Sequence, residues 1–97
     1  MQVSVRFFTS LREITGKREE TLEFAKDSAA TLEDVLQKLT KKYGKDFKEY
    51  VYDQRTDQPK GYLQFLINGK SISPAKGTQT RIRNGDVLAI IPPVGGG

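Results

Sequence analysis

The residues of this sequence whose types could do chemistry lie at its carboxyl end. The chain finishes with IIPPVGGG. Pro92 and Pro93 lack an N–H and have a fixed φ, so they stop a strand and direct the chain away from a sheet in an extended form. Gly95, Gly96 and Gly97 form a stem without side chains, which could thread a channel only as wide as a backbone. The one functional group that such a stem presents is the α-carboxylate of Gly97.

That carboxylate is unreactive until it is activated. An α-carboxyl group has a pKa of about 3.3–3.7, so it is ionised at neutral pH and is a poor electrophile. Conversion to a mixed anhydride, such as an acyl-adenylate made with ATP, would let its carbonyl accept sulfur, a thiol or a lysine amine. Glycine-rich ends are also typical of frayed termini and expression remnants. The residues alone leave both interpretations open.

The rest of the composition excludes most other chemistry. The 97 residues contain no Cys and no His, which excludes disulfides, thiol nucleophiles, and Cys–His or Ser–His–Asp catalysis within this chain. We therefore expect no metal site and no bound cofactor, and Asp53 and Asp57 lack the spacing of a calcium loop. Sixteen Lys and Arg against twelve acidic residues give a net charge of +4, which by itself is weak evidence for nucleic-acid binding.

Length and hydropathy predict one small domain. At 97 residues with 36% hydrophobic residues, the chain can bury one core. No apolar stretch approaches the ~18–20 residues that span a bilayer, and the amino-terminal MQVSVRFF lacks the apolar region of a signal peptide. We therefore expect a cytoplasmic protein without a membrane partner, with a domain over residues 1–92 and a flexible tail over residues 93–97.

Hydrophobic periodicity predicts the elements that position the tail. Alternation of apolar and polar residues predicts strands over residues 2–8 and 19–25, joined as a hairpin by a short loop. Helical spacing predicts a helix over residues 32–43, with Thr31 as N-cap and Asp34 completing a capping box. Gly44 ends this helix.

The second half of the sequence predicts further strands. Phe47, Tyr50 and Val51 suggest a short helical turn, and residues 53–61 an exposed loop. The sequence YLQFLING predicts a strand that ends at an Asn68-Gly69 hairpin turn, followed by a short strand stopped at Pro74. A last turn at Asn84-Gly85 precedes a strand over residues 87–91. This order predicts an α+β roll, in which a mixed sheet packs on one main helix.

The sequence also resembles a known family. The strand and helix order, RFFTSLREITG near the start and RNGDVLAIIPPVGGG at the end are similar to the small, sulfur-carrying subunit of molybdopterin synthase. The wider group is the ubiquitin-like β-grasp carriers, which includes the thiamine-pathway sulfur carrier and small archaeal protein modifiers. Ile91 stands where the family often has Phe, and Gly95 occupies its variable position. The long loop VYDQRTDQPKGY resembles the archaeal members.

The resemblance implies a function that depends on partners. An E1-like, ATP-dependent activating enzyme would adenylate Gly97, and sulfur transfer would make its thiocarboxylate. The tail, including Val94, would then insert into the large subunit of molybdopterin synthase and donate sulfur for molybdenum cofactor biosynthesis. The chain would be a reagent rather than a catalyst. Archaeal members also imply an alternative, in which Gly97 is joined to lysines of target proteins. The sequence does not separate these two functions.

The alternation of side chains along the predicted strands indicates a partner surface beside the tail. With Leu88 and Ile90 facing the core, Ile91 points to the outer face of the sheet, and Phe8 and Leu66 share that face. We expect these three residues to form an exposed apolar patch that binds a partner. A third hypothesis, a basic module that binds nucleic acid, requires solvent-facing aromatic rings among the lysines. The candidates for such rings are Tyr50, Tyr52 and Tyr62.

Overall fold

A five-stranded mixed sheet is the framework of the computed structural model, which describes residues 1–26, 29–72 and 77–93. The elements follow one another along the chain as β1 (Gln2–Phe7), α1 (Ser10–Thr15), β2 (Glu19–Glu23), β3 (Ala30–Thr31), α2 (Leu32–Tyr43), α3 (Lys45–Val51), β4 (Tyr52–Asp53), β5 (Gln58–Pro59), β6 (Gln64–Ile67), β7 (Lys70–Ile72), β8 (Arg81–Ile82) and β9 (Val87–Ile91).

The strand order of the main sheet is β2-β1-β9-β6-β7, so the last strand of the chain is its central strand. β1 pairs in parallel with β9 and antiparallel with β2. β6 is antiparallel to both β9 and β7. Two smaller two-stranded sheets join β3 to β8 and β4 to β5. This topology confirms the predicted mixed sheet of an α+β fold.

Helix α2 has the bounds and the caps that the sequence predicts. The Thr31 hydroxyl accepts a hydrogen bond from the Asp34 backbone N–H at 3.3 Å, and an Asp34 carboxylate oxygen accepts one from the Thr31 N–H at 2.9 Å. These two bonds satisfy N–H groups that the first helical turn leaves free. Gly44 ends the helix with a φ of 81°, a value that glycine adopts without steric cost.

The core lies between α2 and one face of the main sheet. Along each strand, successive side chains point alternately to this face and to the outer face of the sheet. The side chains of Phe7, Phe65 and Ile90 are fully buried there, as are Leu36 and Leu39 on the helix. The longest helix in the described part of the chain has twelve residues, and none there is long and apolar enough to cross a bilayer.

Three stretches differ from the prediction. The loop of the first hairpin contains helix α1, because Leu11 is fully buried and anchors a helical turn against the core. The predicted loop over residues 53–61 contains the strand pair β4–β5, in which Pro59 is buried. β8 pairs with β3 outside the main sheet. The predicted stop at Pro74 lies outside the described residues.

Candidate functional site

The carboxyl end of β9 leaves the middle of the main sheet. Ile91 pairs with Gln64 of β6 on one side. On the other side Phe8 follows the Phe7–Ile90 pair of the parallel strands β1 and β9, which places it beside Ile91. After Ile91, Pro92 is buried and Pro93 half-buried. Two neighbouring strands therefore fix the point from which the tail starts.

The three residues of the predicted partner surface share the outer face of the sheet. Phe8, Leu66 and Ile91, here called the apolar patch, are each adjacent to a fully buried residue and so lie on the opposite face. Leu66 pairs with Ala89, so it is a diagonal neighbour of Ile91, within reach of a long side chain. All three are half-buried rather than fully exposed. The patch is contiguous and borders the start of the tail.

Arg12 of α1 partly covers the patch. Its guanidinium lies 5.4 Å from the centroid of the Phe8 ring, a cation–π distance. Its Nε donates to the carbonyl oxygen of Phe7 at 3.0 Å. Thr9 lies between Phe8 and the start of α1. It has a φ of 50° and a ψ of −121°, an unfavourable backbone conformation for a β-branched residue. The chain thus turns sharply beside the patch, and Arg12 contacts the two residues that precede the turn.

The end of the tail that the sequence predicts to be reactive lies outside the described residues. Val94, Gly95, Gly96 and Gly97, with the predicted reactive carboxylate, belong to this part, as does the prediction that the tail is flexible. Pro92 and Pro93 are the only predicted tail residues that the structure describes. Their positions locate the root of the stem.

A buried carboxylate that the sequence did not predict lies on the edge strand β2. Glu20 of β2 is only 8% exposed. Its carboxylate forms an ion pair with Lys42, lies 3.3 Å from Lys17 Nζ and accepts a hydrogen bond from the Tyr43 hydroxyl at 2.7 Å. It also accepts one from the Thr21 N–H at 3.1 Å. Glu20 therefore ties the edge strand to the end of α2.

The surroundings of Glu20 shift two pKa values. The hydrogen bond from Lys42, together with those from Tyr43 and Lys17, lowers the pKa of Glu20 from 4.5 to about 2, although burial acts in the opposite direction. Burial raises the pKa of Tyr43, and its hydrogen bond to Glu20 adds to that rise. Both groups keep their ordinary charge at neutral pH, which is typical of a structural ion cluster rather than of a catalytic pair.

The three tyrosines proposed for nucleic-acid stacking differ in exposure. Tyr52 is only 4% exposed, and its hydroxyl has no hydrogen-bond partner among the described residues. Tyr50 is half-buried and packs against the core. Tyr62 is 57% exposed. The prediction that Tyr52 faces solvent is therefore wrong. Of the three candidates only Tyr62 is mostly exposed, whereas stacking of single-stranded nucleic acid requires several exposed rings.

The mixed five-stranded sheet, with a parallel pair formed by its first and last strands and one main helix across it, defines a ubiquitin-like β-grasp protein. Residues 5–97 match the ThiS family, and the chain belongs to that family. The resemblance stated from the sequence is confirmed.

Three proteins illustrate what the chain is similar to. It is 30% identical over 97 residues, all of both chains, to small archaeal modifier protein 3 of Haloferax volcanii. The same identity and coverage hold for the molybdopterin synthase sulfur carrier subunit of Chlamydomonas reinhardtii. Among solved structures, SAMP1 from Haloferax volcanii superposes with a TM-score of 0.83 at 24% identity, over 100% of both chains. That last likeness concerns the fold.

Proposed function

We propose that the protein is a sulfur carrier that works through its terminal glycine. A carboxylate oxygen of Gly97 attacks the α-phosphorus of ATP on a separate activating enzyme, and pyrophosphate leaves. A sulfur nucleophile at the oxidation level of hydrosulfide then attacks the acyl carbon of the adenylate, and AMP leaves. The product is a thiocarboxylate, whose sulfur is passed to the molybdopterin precursor on a large synthase subunit.

The observation that supports this proposal is the position of β9. The tail begins at the end of the central strand, where two neighbouring strands and a buried Pro92 hold its root. A stem with a fixed root and no bulky side chains can enter a narrow channel while the domain stays outside. The apolar patch beside the root gives the partner a surface to bind.

In this proposal the chain supplies the reacting atom and its partners supply the catalytic groups. The sequence has no Cys and no His, and among the described carboxylates the one with a shifted pKa is Glu20. This residue is at the β2 edge of the sheet, separated from β9 by β1. The relative from Chlamydomonas is by its name one subunit of a synthase, which supports a partner of this kind.

A second candidate function is supported by the relative from Haloferax volcanii, whose name is that of a protein modifier. In this function the adenylated Gly97 is attacked by a lysine amine of another protein, and the products are an isopeptide bond and AMP. The first step is the same as in the sulfur carrier. The two functions differ only in the nucleophile that reaches the activated carbonyl.

Mass spectrometry of the protein from its own cells tests the proposal. For the sulfur carrier, we expect the intact protein to gain a mass equal to the replacement of one oxygen by sulfur. For the modifier, we expect peptides of other proteins with a Gly97 remnant on lysine. The matched control is the same chain without Gly96 and Gly97. If that variant still gives either product while it stays folded, the proposed function is wrong.

A further inference from the structure

A cluster of aromatic and cationic side chains lies at the end of the sheet from which the tail leaves. β6 and β9 run antiparallel, with Gln64 paired to Ile91. The chain two residues before Gln64 therefore reaches the same end of the sheet as Pro93, two residues after Ile91. The residue at that place is Tyr62. It lies on the β6 side of the tail, whereas Phe8 of the apolar patch lies on the β1 side.

Tyr62 belongs to a group of neighbouring side chains that includes Lys60 and Tyr50, here called the tyrosine–lysine cluster. The Lys60 ammonium is 5.8 Å from the centroid of the Tyr50 ring and 5.9 Å from that of Tyr62. The Lys60 N–H donates to the carbonyl oxygen of Val51 at 2.8 Å, and its carbonyl oxygen accepts from the Leu63 N–H at 3.1 Å. The turn that carries Tyr62 is thus held by backbone hydrogen bonds at both ends.

The exposed position of this cluster is not explained by packing against the core. Tyr62 is the one large apolar residue that is mostly exposed in the described part of the chain, at 57%. Lys60 forms no ion pair with a carboxylate there. An exposed aromatic ring on a hydrogen-bonded turn, beside a cation without an ion-pair partner in the described part of the chain, is typical of the anchors that dominate protein–protein binding energy.

The length of the tail limits where its partner can be. Gly97 is four residues beyond Pro93, and a fully extended chain advances at most ~3.3–3.6 Å per residue, so the two are at most roughly 14 Å apart. An enzyme that acts on the Gly97 carboxylate must bring its active site within that distance of Pro93. The surfaces on both sides of Pro93 therefore face the enzyme when the tail is bound.

We propose that the tyrosine–lysine cluster is a docking contact for the adenylating enzyme, separate from the apolar patch. It fits an enzyme surface with an apolar pocket that takes the Tyr62 ring and a carboxylate at the rim that pairs with Lys60. The inference rests on the proposed function, because it needs an enzyme that holds the tail. It adds that this enzyme recognises the segment between β5 and β6 as well as the tail.

The test is the steady-state kinetics of ATP–pyrophosphate exchange, in which the adenylate is formed and reversed repeatedly on the adenylating enzyme of the same organism, with the carrier protein as the varied substrate. For Tyr62→Ala we expect a KM about tenfold higher, the size typical of a lost aromatic anchor, and an unchanged kcat. Tyr62→Phe keeps the ring and should retain the parent KM. For Lys60→Ala we expect about a threefold rise in KM that fades at high salt.

Two controls separate this inference from the proposed function. Lys70→Ala removes the same charge as Lys60→Ala, but at the opposite end of β6, beyond its hairpin turn, and should leave KM unchanged. Deletion of Gly96 and Gly97 should abolish turnover. If Tyr62→Ala and Lys60→Ala keep the parent KM while the deletion abolishes turnover, the docking inference is wrong and the proposed function stands. If the deletion variant still turns over, the proposed function is wrong.

Discussion

The two faces of the main sheet are made by the same strands but differ in how far their side chains are buried. On β9, Leu88 and Ile90 are fully buried against α2, whereas Val87, Ala89 and Ile91 on the other face are half-buried. The inner face is filled by the chain's own helix. The outer face has an apolar strip next to the root of the tail. One alternating strand therefore contributes to the core on one side and leaves a half-buried apolar strip on the other, which we propose as a partner surface.

The largest effect is expected where a leucine of the inner face is truncated. Leu88→Ala should lower the free energy of unfolding by about 3 kcal/mol, because it removes buried apolar atoms and leaves a cavity. The same change on the outer face, Leu66→Ala, should cost about 1 kcal/mol, because Leu66 is only half-buried. Urea denaturation of both variants measures the difference. Equal losses would contradict the assignment of the two faces.

A second prediction concerns Glu20, the buried carboxylate on the edge strand β2. Glu20→Gln should lower the free energy of unfolding at pH 7 by about 2 kcal/mol, because the charge-assisted hydrogen bonds from Lys42, Lys17 and Tyr43 are weakened. Glu19→Gln removes the same charge from an exposed neighbour on β2 and is the matched control. A loss of the same size in the control would show that net charge, not the Glu20 contacts, determines the effect.

The pKa of Glu20 also gives the sign of a pH dependence. Because the pKa is lowered in the folded state, from 4.5 to about 2, the Glu20 contacts stabilise the fold fully above pH 4.5 and are lost as pH falls towards 2. The decline in stability over this window should be shallower in Glu20→Gln than in the parent protein. Parallel declines in urea denaturation across the window would contradict the role of Glu20.

A third prediction concerns a substitution in the apolar patch on the outer face, which leaves the core residues of the inner face unchanged. Phe8→Asp introduces a charge into the apolar patch and should weaken binding to the adenylating enzyme about tenfold, equivalent to about 1.4 kcal/mol. Thermal unfolding should stay near that of the parent protein, because Phe8 lies outside the core. Titration calorimetry measures the affinity. Unchanged binding would count against the patch.

The smallest effect is expected at the turn between β1 and α1. Thr9 holds a positive φ, so Thr9→Gly should raise the free energy of unfolding by about 1 kcal/mol through relief of backbone strain. Ser10→Gly, one residue later inside α1, should lower it by a similar amount, because glycine is a poor helix former. Opposite signs in urea denaturation are expected, and a loss of stability in Thr9→Gly would contradict the strain.

The features that the sequence predicted well depend on neighbouring residues. The capping box of α2 joins Thr31 to Asp34, only three residues apart, and its pattern is recognisable in the sequence. Both central residues of the Asn68-Gly69 turn have positive φ, as its residue types require. Alternation along β9 correctly predicted which of its residues face the core.

The features that the sequence did not predict depend on distant contacts or on very short elements. Glu20 is buried because Lys42 and Tyr43, more than twenty residues away, supply its partners. The two-residue strands β3, β4, β5 and β8 are too short for periodicity to identify. Tyr62 stands out only once the register of β6 and β9 brings it to the end of the sheet where the tail begins.

The proposed sulfur-carrier function is tested most directly by finding where sulfur is attached. The protein is incubated with its adenylating enzyme, ATP and a sulfur donor, and the intact chain is then fragmented in a mass spectrometer. If the protein is a sulfur carrier, we expect one oxygen-to-sulfur replacement, confined to fragments that contain Gly97, and none in the chain without Gly96 and Gly97. Sulfur on any other residue, or an unmodified Gly97 after complete turnover of ATP, would contradict this function.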